Sequence, residues 1–253
     1  MRREQLQEMR ELEDHYWWFV GRRRMVRDLV VRHMAGRESL RVLDAGCGTG
    51  GTLTALEGVG ELWGCDISTD ALDMCRLRGL DKLVQASVEA LDFDDANFDV
   101  VISCDVLEHV KDDTGAMREM ARVLRPGGIC VLTLPAYMWL WSEHDEALGH
   151  FRRYVGGEVR RLVEGAGLRV EKFSGAVTLV LPMIVLYRVF KRLTRRRRDD
   201  KAQTSLVQLP EWINRFFIRL LDLENLLMRR LRLPWGASVV VVARKPDGSA
   251  EER

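Results

Sequence analysis

The 253-residue sequence predicts an α/β fold built on a doubly wound, parallel sheet. Three observations lead to this prediction. An apolar run from 40 to 45 passes directly into a glycine-rich loop, and a second strand-like run, Glu61 to Asp66, ends on an acidic residue. Strand and helix patterns then alternate along the chain, and parallel strands need such crossover helices between them.

The individual elements follow from local signals taken in chain order. Ser68 is a typical N-cap for a helix over 68–78, and a second crossover helix is expected over 113–124. Gly167 ends a helix over 157–165, since glycine commonly terminates helices. The other expected helices cover 3–14, 20–35 and 210–233, and the strands cover 40–45, 61–66, 82–86, 98–104, 129–135, 168–174 and 237–244.

The glycine-rich loop after the first strand predicts a nucleotide-cofactor site, because glycine lets backbone N–H groups approach a ligand closely. Gly46, Gly48 and Gly51 fit the dinucleotide spacing G-x-G-x-x-G, whereas Gly46, Gly48 and Gly50 fit the G-x-G-x-G of S-adenosylmethionine (SAM) sites. Asp44 favours SAM. Its carboxylate would repel a pyrophosphate but suits an α-ammonium group.

Asp66 is the candidate for binding the cofactor ribose. It ends the second strand about 20 residues after the glycines, which is the spacing of a βαβ unit. An ionised carboxylate accepts from both vicinal ribose hydroxyls. The alternative is an ordinary acid in a solvated turn.

Four motifs occur in the order typical of one enzyme family: Val-Leu-Asp-Ala-Gly-Cys-Gly-Thr-Gly at 42–50, Asp66, Phe-Asp-Val-Val-Ile-Ser-Cys-Asp-Val-Leu-Glu-His-Val at 98–110, and Leu-Arg-Pro-Gly-Gly at 124–128. On these motifs the chain resembles the class I SAM-dependent methyltransferases, in the group related to ubiquinone and menaquinone biosynthesis. The resemblance covers about residues 15 to 175 and Gly236 to Arg244. It implies a Rossmann-like, doubly wound, seven-stranded sheet with an antiparallel last strand.

The resemblance also implies a set of cofactor-binding residues. Asp44 and the glycines would contact the methionine part, Asp66 the ribose, and Ser87 to Glu89 the adenine edge. Ser87 departs from the Asp that relatives often carry, and a hydroxyl accepts a hydrogen bond more weakly than a carboxylate. The full set is Asp44, Gly46, Cys47, Gly48, Gly50, Asp66, Ile67, Ser87, Val88, Glu89, Cys104 and Asp105, with Tyr16, Trp17 and Arg23 from an N-terminal segment that closes over SAM in the family.

The segment after the fifth strand is the predicted acceptor site, because ligands of open α/β sheets bind outside the carboxyl ends of the strands. Residues 137–154 are rich in aromatic, histidine and arginine residues. A neutral imidazole can take a proton from a hydroxyl, and a carboxylate can orient it. The expected catalytic residues are His144, His150, Asp145 and the rival base His109, and the expected substrate contacts are Trp139, Trp141, Arg152, Arg153 and Tyr154. The alternative is a packed lid whose histidines bond only to the backbone and whose arginines are solvated.

About 60 residues, 176–235, form an insertion between the last two strands, where the family often has a short hairpin. The run 176–187 carries no charge, and Arg188, Lys191, Arg192, Arg195 to Arg198 and Lys201 follow it. An amphipathic helix is then expected, with apolar residues at Leu209, Ile213, Phe216, Leu220, Leu223 and Leu227. Apolar segments flanked by arginines suit the surface of an anionic membrane. An intramolecular cap and a homodimer face are the alternatives.

These segments give a predicted domain division. It consists of an N-terminal helical cover (1–36), a SAM-binding core (37–175), the insertion (176–235), the last core strand (236–245) and a disordered tail (246–253). The five cysteines lack C-x-x-C spacing, so no metal site is expected, and they are typical of reduced thiols in a cytoplasmic protein. No membrane span is expected, so any membrane contact would be peripheral.

The predicted function is methyl transfer from SAM to a hydroxyl of a small-molecule or lipid-linked acceptor, such as an isoprenoid, quinone-type or glycolipid precursor. Alternatives are C-methylation of an activated ring, a catalytically silent SAM-binding module and, less favoured, an NAD-dependent oxidoreductase. Nucleic-acid partners are not expected. The fourth strand ends Ser-Cys-Asp-Val rather than Asn/Asp-Pro-Pro-Tyr, and Cys104 lacks a preceding proline.

Overall fold

A seven-stranded sheet forms the centre of the molecule in the computed structural model, which describes residues 3–194 and 209–247. The strands are β1 (Leu40–Ala45), β2 (Gly60–Asp66), β3 (Leu83–Gln85), β4 (Phe98–Cys104), β5 (Leu124–Pro135), β6 (Arg169–Ala176) and β7 (Ser238–Arg244). The helices are α1 (Arg3–Glu13), α2 (Trp17–His33), α3 (Gly51–Ala55), α4 (Thr69–Arg76), α5 (Asp113–Val123), α6 (Glu143–Leu148), α7 (Gly156–Gly165), α8 (Leu181–Thr194) and α9 (Glu211–Met228), with single 3₁₀ turns at Leu107–His109 and Met138–Leu140.

The strand order is β3-β2-β1-β4-β5-β7-β6, and β7 runs antiparallel to both of its neighbours. The predicted doubly wound sheet with an antiparallel last strand is therefore confirmed. Because β7 is antiparallel to both, β6 runs parallel to β5. Ala176, at the end of β6, and Pro135, at the end of β5, both pair with Ser238. The insertion thus leaves the sheet at the edge where the parallel strands end.

Alternate residues of the central strands supply two separate apolar layers, since successive side chains of a strand point to opposite faces. Val42, Val100 and Val131 pack with α2 on one face. Leu43, Val101 and Leu132 pack with α5 and α7 on the other. All seven residues of β4 are buried, as expected for a strand covered on both faces.

A third apolar cluster joins the N-terminal segment to the insertion above the carboxyl edge of the sheet. Trp17 and Phe19 of the N-terminal segment pack with Val180, Phe217 and Leu221 of the insertion. Helix α2 starts at Trp17 rather than at residue 20, because the aromatic run itself forms its first turn. The predicted domain boundaries stay predictions, but the N-terminal segment and the insertion share one apolar cluster.

The described part of the insertion, 176–194 and 209–235, contains two helices, α8 and α9. Helix α9 ends at Met228 instead of 233, and the uncharged run around Pro182 opens α8. No helix in the described ranges is both long and apolar enough to cross a bilayer. The arginine run at 195–198, Lys201 and positions 248–253 of the expected tail lie outside the described residues.

Candidate functional site

The glycine-rich loop connects β1 to α3 in backbone conformations that favour glycine. Gly46, Gly48 and Gly50 have φ values of +84°, +54° and +84°. A Cβ atom on Gly46 would lie 2.5 Å from Cγ2 of Val106, so only glycine fits at that position. The loop is thus a tight glycine cradle, and Gly46 and Gly48 line the cavity described below, where a ligand can approach their backbone.

The Asp66 carboxylate lies directly against this loop. Its Oδ2 accepts a hydrogen bond from Gly48 N at 2.9 Å, and its Oδ1 accepts one from Ser68 N at 2.9 Å. Each carboxylate oxygen keeps a second lone pair. The group is therefore held in place with acceptor capacity left for two hydroxyl donors.

Asp44 is buried at the end of β1, with an exposed fraction of 2%. Burial raises the pKa of Asp44 to about 7, although the nearby positive charge of Arg22 partly opposes this shift. A cationic ligand group beside Asp44 would favour its ionised form.

Arg22 is a site residue that the sequence reasoning missed. Its guanidinium donates a hydrogen bond to Oδ2 of Asp105 and lies 4.5 Å from the centroid of the Trp18 ring. Asp105 follows β4 with a φ of +55° and also accepts a hydrogen bond from Thr133. The expected residue, Arg23, instead contacts Asp14 and the Gly51 carbonyl. The spacing of Trp18 and Arg22 could have indicated this contact. The two residues are four apart, so they lie next to each other on one face of α2.

A cavity of about 1200 Å³ extends from the glycine loop to the segment after β5. It exceeds the roughly 300–1,000 Å³ of ordinary small-molecule sites, so it has room for a cofactor and an acceptor. Most of the predicted site residues line it: Tyr16, Trp17, Asp44, Gly46, Cys47, Gly48, Asp66, Ile67, Ser87, Val88, Glu89, Cys104, Asp105, His109, Trp141, His144, His150 and Arg153.

Six predicted residues do not line the cavity: Gly50, Arg23, Trp139, Asp145, Arg152 and Tyr154. Trp139 is 58% exposed and stacks on Tyr137. Arg152 pairs with Asp113, and the buried Tyr154 donates its hydroxyl hydrogen to the same carboxylate at 3.0 Å. The expected cavity contacts of Trp139, Arg152 and Tyr154 are thus absent, because these side chains have partners elsewhere or face solvent.

The predicted long loop after β5 contains a short helix, α6, which organises the acceptor end. Asp145 is fully buried behind the cavity wall and forms a capping box with Ser142. Its Oδ1 contacts Nδ1 of His150 at 3.0 Å and accepts from Arg153 Nε at 2.8 Å. Burial alone would raise the pKa of Asp145, but His150 and Arg153 lower it below its usual range.

The other two histidines have a different environment. Burial lowers the pKa of His144 and of His109 to about 4 in each case. The ring of His109 lies edge-on to that of His150, with centroids 4.6 Å apart. The fully buried Nδ1 of His144 has no hydrogen-bond partner among the described residues. Both rings are therefore neutral at physiological pH, and each is a weaker base than an ordinary imidazole.

Glu108 is fully buried beside these histidines, and neither of its carboxylate oxygens has a hydrogen-bond partner in the described part of the chain. Burial, together with the charge of Asp105, raises the pKa of Glu108 well above its usual value. Glu108, His109 and His150 each offer one ligand atom, and these atoms lie within 4.8 Å of one another. The group is thus suited to hold a proton or a divalent cation. The sequence analysis missed this cluster, since His150 is distant from Glu108 in the chain.

Comparison with known proteins matches this architecture to methyltransferases. The family profile described as "Methyltransferase domain" matches residues 43–132. A demethylmenaquinone methyltransferase of Staphylococcus aureus is 31% identical over 202 residues, covering 65% of this chain and 80% of that protein. A ubiquinone biosynthesis O-methyltransferase of Alkalilimnicola ehrlichii is 39% identical over 108 residues, which cover 40% of this chain and only 44% of the relative's length.

A solved structure extends the likeness of the fold to nearly the whole chain. One chain of the complex between a Haloferax volcanii methyltransferase activator and a methyltransferase superposes with a TM-score of 0.61. The match covers 96% of this chain and 95% of that chain at 20% identity, so it concerns the fold alone. The Staphylococcus aureus relative, which is 31% identical and covered over 80% of its length, shows together with the methyltransferase profile that the chain belongs to the class I SAM-dependent methyltransferases, in the group related to the ubiquinone and menaquinone biosynthesis enzymes.

Proposed function

We propose that this protein transfers the methyl group of SAM to a hydroxyl of a quinone-type, isoprenoid or glycolipid precursor. The observation that carries the proposal is one continuous cavity, with Asp44 and Asp66 at one end and three histidines at the other. The names of the two quinone-pathway relatives support the acceptor class. The protein would act in the cytoplasm or at the membrane surface.

The cofactor would occupy the end formed by the glycine loop. Asp44 would bind the α-ammonium group, and Asp66 the two ribose hydroxyls. Ile67 is 72% exposed at the cavity wall, which leaves its side chain uncovered for contact with the adenine ring. The Ser87 hydroxyl already accepts from Glu89 N at 3.2 Å, which leaves it one further lone pair for the adenine edge.

SAM supplies an activated methyl group on a sulfonium leaving group. The protein then has two tasks, to align the acceptor oxygen with the methyl carbon and to remove the hydroxyl proton. His150 is the best candidate base, because Asp145 contacts its Nδ1 and leaves Nε2 for the acceptor. His109 and His144, with pKa values of about 4, are weaker proton acceptors. Arg153 would hold Asp145 in place from the other side.

The decisive experiment follows radiolabel from SAM into an extract of the native host, partitioned between organic and aqueous phases. Asp44→Asn is the blank, because it removes the carboxylate proposed to bind the α-ammonium group. Enzyme-dependent label in the organic phase supports a lipid-linked acceptor. Label only in the aqueous phase means a soluble acceptor, and no label in either phase supports the silent binding module.

C-methylation of an activated ring is the second candidate. A quinone-type acceptor offers both a ring carbon and a ring hydroxyl, and either atom could receive the methyl group in the same cavity. Carbon-13 NMR of the product made with methyl-labelled SAM separates the two, since O-methyl and C-methyl carbons resonate in different regions. Titration with NAD, with SAM as the positive control, tests the oxidoreductase alternative.

A further inference from the structure

Helix α9 has two apolar faces, only one of which is covered. Phe217, Leu221 and Met228 are buried on the side that faces α2 and the sheet. Trp212, Phe216, Leu223, Leu226 and Leu227 are exposed, with exposed fractions from 36% to 73%. At about 100° per residue, these five project from one side of the helix, roughly opposite the buried set. We call this exposed side the outer stripe.

Two arginines lie within the outer stripe. Arg219 and Arg230 project at the same angles as Trp212 and Leu223, and both are exposed. Neither guanidinium group forms a hydrogen bond or ion pair with any residue in 3–194 or 209–247. Soluble proteins rarely leave so much contiguous apolar surface uncovered unless it is an interaction site. Unpaired guanidinium groups among apolar side chains favour a surface that presents both phosphates and hydrocarbon.

The charge of the insertion distinguishes between two occupants of this stripe. The described residues of the insertion, 176–194 and 209–235, contain 8 Lys and Arg against 3 Asp and Glu, a formal charge of +5, although the whole chain carries only +1. A symmetric dimer through the stripe would bring two such basic segments together, because a two-fold interface apposes the same patch from both copies. An anionic surface would instead be attracted, by about 1 kcal/mol for each arginine near it.

The shape of the insertion fits a surface position rather than a span. Helix α9 has 18 residues, and Trp212 near its start and Trp235 after its end are both exposed. Indole rings favour the boundary between headgroups and hydrocarbon. On α8, Leu186, Val189 and Phe190 are also exposed.

We infer that the outer stripe of α9, with the exposed side of α8, docks the protein on an anionic phospholipid bilayer. The inference rests on the proposed function only where it concerns how a lipid-linked acceptor enters the cavity. Met183, Ile184 and Tyr187 of α8 line the cavity, while Leu186 and Phe190 of the same helix are exposed. One helix thus borders both the cavity and the bilayer, so an acceptor with a long apolar tail reaches the cavity without crossing water.

Vesicle sedimentation of the full chain tests the docking. We expect the protein to sediment with vesicles of phosphatidylglycerol and phosphatidylcholine, to remain in solution with phosphatidylcholine alone, and to dissociate as salt is raised. Trp212→Ser with Phe216→Ser should lower the partition coefficient at least about tenfold. Val31→Ser with Leu77→Ser, two exposed apolar residues outside the insertion, should not change it.

Charge reversal provides a second arm. Arg219→Glu with Arg230→Glu should also lower partition at least about tenfold, whereas Arg118→Glu, an exposed arginine on α5, should have little effect. Equal partition of all variants would overturn the inference. A second result would also overturn it. If the parent does not bind vesicles but is a dimer in light scattering, and the stripe variants are monomers, the stripe is the contact with a second copy.

The two proposals fail in distinguishable ways. SAM affinity, and turnover of any water-soluble acceptor, should be unchanged in the outer-stripe variants, because these residues do not line the cavity. Vesicle binding without methylation of any lipid-phase acceptor would refute the proposed function and leave the docking intact. Methylation of a lipid-phase acceptor without vesicle binding would refute the docking alone.

Discussion

The guanidinium of Arg22 connects the N-terminal segment to the cavity through a hydrogen bond to Asp105. Arg22 is largely buried, and it also stacks on Trp18, so its charge is compensated from one side and its planar surface is covered from the other. Although burial alone would lower the pKa of Arg22, the Asp105 carboxylate raises it. This pair fixes α2 against the residue that follows β4.

Removal of the Arg22 charge should therefore destabilise the protein strongly. We expect Arg22→Met to lower the free energy of unfolding by up to about 3–5 kcal/mol, because Asp105 is left as a largely buried charge that keeps the Thr133 hydroxyl as a donor but loses its cationic partner. Arg24→Met is the matched control. Arg24 pairs with Asp222 on the surface, and its loss should cost about 1 kcal/mol or less. Urea unfolding of both variants measures the difference, and equal effects would show that the Arg22 pair is not specially stabilising.

SAM affinity should depend on pH through Asp44. In the free protein the pKa of Asp44 is about 7, so below that pH the carboxyl must lose a proton before it pairs with the α-ammonium group. Affinity should fall by up to about tenfold for each pH unit below 7 and level off above it. Calorimetry at pH 6 in two buffers of different ionisation enthalpy should detect the released proton. In Asp44→Asn the binding should be weak and without this pH dependence, and an unchanged slope there would refute the assignment.

The three histidines should differ in their effects on kcat. We expect His150→Gln to lower kcat about 10²-fold or more, since it removes the proposed general base. His144→Gln should change kcat only a few-fold, because His144 already has a pKa of about 4 and is a poor proton acceptor. Steady-state kinetics with the acceptor found by radiolabelling, together with SAM affinity for each variant, separate catalysis from binding. Equal loss in both variants would argue against His150 as the base.

Glu108 should be protonated in the folded protein. A carboxyl whose pKa is raised on folding stabilises the protein fully below its unfolded pKa of about 4.3, and that stability is lost as pH rises toward the folded pKa. Glu108→Gln removes the titrating group, so the variant should be at least as stable as the parent at pH 8. Thermal unfolding with and without chelator checks this. A drop in Tm that only the parent shows on chelation would mean that the Glu108 cluster holds a cation.

Gly21 should be required where α2 and α9 cross. A Cβ atom there would lie 2.3 Å from Cδ1 of Leu221, and the two helices pack along much of their length. Gly21→Ala should destabilise the protein by about 1–3 kcal/mol through overpacking. Gly157→Ala on α7 meets nothing within 4 Å and should be neutral or slightly stabilising. Thermal unfolding of both variants is the check, and no loss in Gly21→Ala would mean that α9 shifts freely.

Features that depend on local sequence were predictable. The first strand with its glycine loop, the acid ending β2 and the cap at Ser68 each follow from a few neighbouring residues, and the structure contains all three. The doubly wound, seven-stranded sheet with an antiparallel last strand also matched the prediction, which rested on the resemblance to a known family.

Features that depend on long-range packing were not predictable. The Arg22 contact with Asp105 joins residues 83 apart, and Glu108 meets His150 only after β5 and the following turn bring them together. The apolar pattern of α9 was clear, but not which apolar residues would be buried. Phe217 and Leu221 face the core, while Phe216 and Leu223 of the predicted stripe are exposed.

The insertion begins and ends on adjacent, hydrogen-bonded strands, since Ala176 of β6 pairs with Ser238 of β7. Its two ends therefore lie close together, and a short hairpin could close the same gap without altering the sheet. Asp44, Asp66 and the glycine loop lie on the other half of the sheet, around β1 and β2. The helices of the insertion contribute Met183, Ile184 and Tyr187 to the cavity wall, whereas the strands of the sheet lie outside the insertion. A different segment grafted between 176 and 238 would therefore reshape that wall and leave the glycine loop and the strand order as they are.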